Sequence, residues 1–146
     1  MIPGFSSRRR FADLSEQEVL ALAISSEEDD ARIYRTYAER LRADYPASAL
    51  VFEGMASEED GHRKRLIDLH VARFGTVIPL LRREHVAGFY ARRPVWLNET
   101  LGLERMRAAA KGMEQQAAAF YERAAARTSD AAIRRLLGDL GAAGVV

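Results

Sequence analysis

The segment from residue 52 to residue 69 has an apolar helical stripe that an acid and a histidine interrupt. In a helix, residues three and four apart lie on one face. Because charged groups are almost never buried without partners, Glu59 and His62 require polar partners from other helices. The segment therefore predicts a helical bundle with a polar site in its interior. The stripe contains, in order, Phe52, Met55, Glu59, His62, Leu66 and Leu69.

Two long helices are predicted in the first half of the chain. A capping box at Ser15 to Glu18 opens the first helix, after an N-terminal arm over residues 1–14 that we expect to be flexible. Pro46 ends this helix, and the second runs from about residue 47 to residue 74, with Gly75 as its C-cap. The neighbouring acids at 28–30 are interpreted as a solvated face. The first stripe consists of Leu20, Ile24, Glu27, Ala31, Tyr34, Ala38 and Leu41.

The second half of the chain predicts a long connection and two further helices. Residues 76–97 contain two prolines and four arginines, which favours a solvated crossover loop with a short helix around residues 80–90; contact with lipid headgroups or another subunit stays open. The third helix runs from about Asn98 to Arg127 and has Glu114 on its apolar stripe. Thr128 to Asp130 caps a fourth helix that ends near Leu140. The prediction is an all-α four-helix domain over residues 15–146, with a short or truncated fourth helix.

Composition excludes several kinds of protein. The chain has 146 residues, 48% of them hydrophobic, and a net charge of +1, which gives no overall attraction to nucleic acid. It has no cysteine, so disulfides, thiolate metal sites and cysteine nucleophiles are excluded. No stretch reaches the roughly 18 apolar residues that would span a membrane, and no export signal is visible. We expect a cytoplasmic location or one at the cytoplasmic face of a membrane.

The first and third helices show an internal repeat. Glu27 and Tyr34 are seven residues apart, as are Glu114 and Tyr121, so each tyrosine shares a helix face with its glutamate. If the second hairpin repeats the first, the fourth helix should carry a second Glu-x-x-His. The position that corresponds to Glu59 is Gly144. The duplication therefore predicts a second Glu-x-x-His that this chain does not have: the given sequence stops short of it, the tail is altered, or half of the site is absent.

The glutamates with their tyrosines, together with Glu59-Asp60-Gly61-His62, resemble the rubrerythrin branch of the ferritin-like di-iron proteins. More narrowly, the chain is similar to the N-terminal domain of membrane-bound ferritins, which precedes a membrane domain similar to vacuolar iron transporters. The resemblance covers roughly residues 15–140. It implies a ferritin-like bundle, in which the long crossover joins the second and third helices. It also implies iron ligands at Glu27, Glu59, His62 and Glu114.

The chemistry of these residue types agrees with that implication. Carboxylates and imidazole suit non-haem iron, with manganese or zinc as substitutes. Tyr34 and Tyr121 could donate hydrogen bonds that orient the glutamates, or could be core aromatics with satisfied hydroxyls. Rubrerythrins often carry a further acid three residues after the third-helix glutamate, where this chain has Ala117. We expect no catalytic residue beyond the ligands themselves.

Three functions remain open from the sequence. The first is a di-iron domain that oxidises or senses Fe(II), with oxygen or peroxide as oxidant, and serves a membrane iron transporter domain that is not in this chain. The second is a rubrerythrin-like peroxide reductase with an external electron donor. The third is a metal-free helical interaction module, in which polar residues only set the pairing of helices. We expect a homodimer, because a short fourth helix would leave the other three partly uncovered.

Overall fold

The computed structural model of the protein describes residues 9–87 and 102–143, and these residues form four α helices. They are α1 (Glu16–Leu41), α2 (Pro46–Phe74), α3 (Leu103–Arg127) and α4 (Ala131–Ala143). Short connections make α1 antiparallel to α2 and α3 antiparallel to α4, and the chain passes from α2 to α3 through a long connection. The predicted all-α bundle with a crossover and a short fourth helix is confirmed.

Local signals in the sequence set the helix ends. The Ser15 hydroxyl accepts from the Glu18 amide at 3.1 Å, and Glu18 Oε1 accepts from the Ser15 amide at 3.0 Å. Pro46 occupies the first turn of α2, where its missing amide proton costs no hydrogen bond. Gly75 ends α2 with a φ of 93°, a conformation that favours glycine. The Asp130 carboxylate accepts from the amides of Ala132 and Ile133, so the predicted cap of α4 has its expected geometry.

The hydrophobic core consists of two clusters, and α4 reaches only one of them. The first includes the apolar residues at the start of α1 and Ile133, Leu137 and Leu140 of α4. The second lies toward the α1–α2 turn and includes Tyr34 and Phe52; none of its members among the described residues belongs to α4. On α1 and α2, the gap between the two clusters contains the polar positions predicted to lie on the inner face.

The N-terminal arm differs from its prediction as far as it is described. Phe11 and Leu14 are buried in the first core cluster, and the Arg127 guanidinium donates to the carbonyl oxygen of Ala12 at 3.2 Å. A two-residue strand, β1 (Arg9–Arg10), pairs in parallel with β2 (Val86–Ala87), although the sequence showed no strand pattern. Residues 9–14 are therefore a packed part of the domain. Such short pairing depends on tertiary contacts and leaves no periodic signal in the sequence.

The crossover also differs from its prediction. The expected short helix around residues 80–90 is a single 3-10 turn at Arg83–His85, followed by β2. Arg83 and Asp30 are buried and form an ion pair, so neither belongs to a solvated loop or face as expected. Residues 88–101, which include Arg92, Arg93 and the predicted start of α3 at Asn98, lie outside the described residues.

The described helices offer no membrane-spanning segment: none combines sufficient length with sufficient apolar character. At its far end, α4 continues through Gly141 to Ala143, three residues beyond the predicted end, and Gly144 lies outside the described residues.

Candidate metal centre

Three of the four predicted ligands meet in the gap between the two core clusters. Glu27 comes from α1, and Glu59 and His62 come from α2. Each offers one ligand atom, and these atoms all lie within 4.8 Å of one another. The spacing of three residues puts Glu59 and His62 on the same face of α2, one turn apart. Glu27 lies opposite them across the α1–α2 interface. Together the three side chains form a cluster of the size that one metal ion requires.

The two carboxylates of this cluster lie in an environment that opposes their charge. Glu27 is only 3% exposed, and burial raises its pKa. Burial, and then the neighbouring Glu27, raise the pKa of Glu59 to about 10. Two acids that share a buried site cannot both ionise without a compensating cation, so the metal-free cluster retains a proton at neutral pH. A divalent ion would replace that proton.

Tyr121 of α3 adds a third helix to the site. Its hydroxyl donates a hydrogen bond to Glu27 Oε1, and its ring is buried. The other oxygen, Glu27 Oε2, is buried and has no hydrogen-bond partner. It lies 3.6 Å from His62 Nδ1, which is too long for a hydrogen bond. A buried carboxylate oxygen without a partner is rare in proteins and fits a metal ligand.

The fourth predicted ligand, Glu114, lies outside this cluster. It is half-buried on α3 and lines a groove between α2 and α3 together with Phe52 and Met55. Burial and the neighbouring Glu58 raise its pKa. The described residues therefore supply one compact three-ligand set, and Glu114 stands apart from it.

The second predicted tyrosine, Tyr34, is fully buried in the second core cluster, and its ring stacks on Phe52 with centroids 6.2 Å apart. Tyr121, in contrast, makes a hydrogen bond between the two halves of the repeat. It binds Glu27 on another helix, whereas Glu114 is the acid that shares its own helix face. The hydrogen bond thus links the two halves of the repeat.

A family model described as Rubrerythrin matches residues 18–143, which is most of the chain. The chain belongs to the rubrerythrin family. This rubrerythrin domain therefore has the di-iron carboxylate fold, and membership of the family implies iron binding. Among the described residues, a compact set of possible ligands is formed by Glu27, Glu59 and His62. Searches of curated proteins and of solved structures gave no match.

Asp30 and Arg83 are polar residues near the rubrerythrin site that the sequence analysis missed. Asp30 is three residues after Glu27 and four before Tyr34, so it falls on the inner face of α1 by the same spacing that identified Glu27. That spacing could have found it, but its position in a run of four acids favoured a solvated face. Nothing in the sequence pairs Arg83 with it across 53 residues.

The other two histidines of this rubrerythrin domain have structural surroundings. His70 is fully buried, and its Nδ1 lies 2.9 Å from the carbonyl oxygen of Gly75, at the end of α2. His85 is exposed, and its Nδ1 accepts from the amide of Arg82 at 3.1 Å. Neither belongs to the described metal cluster.

Proposed function

We propose that this rubrerythrin domain binds Fe(II) at Glu27, Glu59 and His62 and promotes, or senses, its oxidation by oxygen or peroxide. The observation that supports it most is the buried, unpartnered Oε2 of Glu27 beside a second, half-buried acid and an imidazole. Two carboxylates and one imidazole nitrogen suit iron, and manganese or zinc could substitute. Iron held there would supply the electrons that reduce the oxidant.

The residues around the ion would prepare the site in three ways. Tyr121 fixes Glu27 by holding Oε1, which leaves Oε2 free for the ion. Glu59 gives up its proton to solvent when a cation binds, so binding should release protons. The side chain of His62 is 17% exposed and that of Glu27 only 4%, so an oxidant could approach the cluster from the α2 side.

A second ion would need ligands beyond the compact cluster. Glu114 is the described acid that corresponds to Glu27 in the repeat, and we propose it as a ligand of a second ion. It faces the groove between α2 and α3, so further ligands would have to enter there. The di-iron state of this domain is thus proposed to depend on groups that enter this groove.

We propose that a second copy of the chain covers the same groove. Gly141 of α4 packs against Tyr121, and the half of α3 that precedes Tyr121 extends beyond the described end of α4. Next to the groove, Leu50 and Val51 are 68% and 62% exposed, as expected for the apolar part of an interface. Light scattering should give a dimeric mass that Val51→Glu reduces. A monomeric mass for wild type at micromolar concentration would contradict this proposal.

The resemblance to membrane-bound ferritins supports a further proposal about context. In this view the domain lies at the cytoplasmic face of a membrane and handles iron for an attached transporter domain. Expression of the full gene product followed by membrane fractionation would test it. Recovery of the protein in the soluble fraction alone would contradict it.

Membership of the rubrerythrin family also supports peroxide reduction as an alternative function. The chain has no cysteine for a rubredoxin-type iron centre, so electrons would have to come from an external donor. Steady-state consumption of peroxide with a reductase and NADH distinguishes this function from stoichiometric oxidation of Fe(II). A burst that stops when Fe(II) is exhausted favours the iron-oxidising function.

Metal binding itself is the first point to test. The purified domain is loaded anaerobically with Fe(II), and bound iron is measured for wild type, Glu59→Gln and the neighbouring control Glu58→Gln, whose side chain is exposed. We expect iron in wild type and in the control, and none above background in Glu59→Gln. Wild-type protein that binds no iron, and whose melting temperature a chelator leaves unchanged, would instead support a metal-free interaction module.

A further inference from the structure

A buried ion pair lies beside the metal cluster and joins the crossover to α1. Arg83 Nη2 lies 2.9 Å from Asp30 Oδ1, and the two side chains are only 9% and 6% exposed. The guanidinium also lies 3.8 Å from Asp29 Oδ2, while its Nε is buried without a hydrogen-bond partner. Such a pair adds little net stability, because desolvation of both charges offsets their attraction. We therefore ask whether the Arg83–Asp30 pair has a role other than stabilising the fold.

Asp30 is within electrostatic reach of the metal ligands. It follows Glu27 by three residues on α1, and side chains at this spacing are neighbours on a helix. The Asp30 carboxylate brings a negative charge to this face of α1, and Arg83 Nη2, 2.9 Å from Asp30 Oδ1, brings a positive one. The two members of the pair thus add charges of opposite sign next to the cluster.

The adjacent pair of Arg82 and Asp29 provides a contrast within the same segment. Arg82 Nη2 lies 2.7 Å from Asp29 Oδ1, but these side chains are 35% and 16% exposed. Water screens that pair more strongly than it screens the buried one. The two adjacent pairs therefore differ mainly in burial and in their acid on α1, which is Asp29 for Arg82 and the more deeply buried Asp30 for Arg83. This makes Arg82 a matched control for Arg83.

We propose that Arg83 is a positioning residue that sets the cation affinity of the cluster by neutralising Asp30. With the pair intact, an incoming divalent ion meets the charge of Glu27 and Glu59 alone. Loss of the guanidinium adds the negative charge of Asp30 to the site and strengthens cation binding. Loss of the Asp30 carboxylate leaves the buried guanidinium with the more distant carboxylate of Asp29, so more positive charge remains near the site and cation binding is weaker. This inference rests on the proposed function, since it requires that the cluster bind a cation.

The test uses Co(II), a divalent probe that does not oxidise under assay conditions, and measures its dissociation constant by competition with a fluorescent chelator. The variants are Arg83→Met, which keeps the aliphatic volume, Asp30→Asn, the double variant and the control Arg82→Met. We expect about tenfold tighter binding for Arg83→Met and about tenfold weaker binding for Asp30→Asn, the scale of one partly screened charge near a divalent ion. The double variant should return to within about threefold of wild type, and Arg82→Met should change binding by less than about twofold.

General damage to the bundle would raise the dissociation constant for Co(II) in every variant. It therefore cannot produce a lower constant in Arg83→Met together with a higher one in Asp30→Asn. Weaker binding for both single variants, or no change in either, overturns the inference and leaves the pair a structural one. If Arg83→Met does not fold, Asp30→Asn and the double variant decide: recovery in the double variant supports charge tuning, and no recovery overturns it. Wild-type protein that does not bind Co(II) or Fe(II) overturns the proposed function together with this inference, whereas wild-type binding with unchanged variants overturns the inference alone.

Discussion

Glu59 shows most directly how a residue proposed to bind metal opposes folding of the metal-free molecule. Burial and the carboxylate of Glu27 both raise its pKa, to about 10, far above its ordinary value near 4.5. The stability linked to this group is fully present below pH 4.5, where it is protonated in the folded and unfolded states. It is lost progressively as the pH rises from 4.5 toward 10, because only the unfolded chain releases the proton freely.

Glu59→Gln should therefore stabilise the metal-free protein and abolish its response to metal. At pH 7 we expect an increase of up to about 3 kcal/mol in the free energy of unfolding, because the unfolded chain releases the Glu59 proton and an amide has none to release. Thermal unfolding with and without Co(II) measures both effects, with Glu58→Gln as control. A metal-free variant less stable than wild type would show that Glu59 has a structural role that its charge does not explain.

Residue spacing was sufficient to predict which residues form the compact cluster but not what surrounds them. Helical periodicity placed Glu27, Glu59 and His62 on inner faces, and the structure brings these three together. The same periodicity placed Glu114 on an inner face, yet that face borders the groove beyond α4. Periodicity gives the direction of a side chain and not its height along the bundle relative to other helices, which depends on tertiary packing.

At the scale of elements, helix boundaries followed the sequence wherever the signal was local. Ser15, Pro46, Gly75 and Asp130 act within one helical turn of their own positions, so the ends of α1 and α2 and the start of α4 were predictable. The N-terminal segment and the crossover were not. Their conformation depends on contacts between residues far apart in sequence, such as the pairing of Arg9 with Val86.

The ion pair between Arg9 and Glu18 should give the start of α1 a measurable dependence on pH. Hydrogen bonds from the Arg9 guanidinium and the Ser15 amide lower the pKa of Glu18 to about 2. A lowered pKa contributes stability above pH 4.5, which is lost as the pH falls through about 2. We therefore expect Glu18→Gln to lower the melting temperature at pH 6–7 and to have a smaller effect near pH 2.

Thermal unfolding of wild type and Glu18→Gln across this pH range measures the effect, and Glu39→Gln, an exposed acid near the other end of α1, is the control. The difference between wild type and Glu18→Gln should narrow as the pH falls, while the control differs little throughout. A difference that stays constant from pH 7 to pH 2 would mean that the glutamine disturbs the helix cap itself rather than removing a charge.

At the scale of the whole molecule, the polar cluster divides the core into two parts. Apolar residues toward the start of α1 pack with α4, and those toward the α1–α2 turn pack without any described residue of α4. Between them, Glu27 is held by α1 and Glu59 and His62 by α2, with α3 joined through Tyr121. A bound cation would therefore link α1 directly to α2, at the point where their apolar contacts are interrupted.

Hydrogen exchange should reveal this link as a local effect of metal. At a Co(II) concentration of about 100 times the dissociation constant, binding stabilises the folded state by about 2.7 kcal/mol, or roughly a hundredfold in exchange that requires opening of the site. We expect this protection in the middle of α1 and α2, less near Tyr121, and least in α4, which supplies no residue to the described cluster.

Mass spectrometry of peptides with and without Co(II) measures this protection, with Glu59→Gln as the variant that should show none. Equal protection of α4 would mean that the bundle opens only as one unit, and protection confined to α3 and α4 would place the cation away from Glu27, Glu59 and His62.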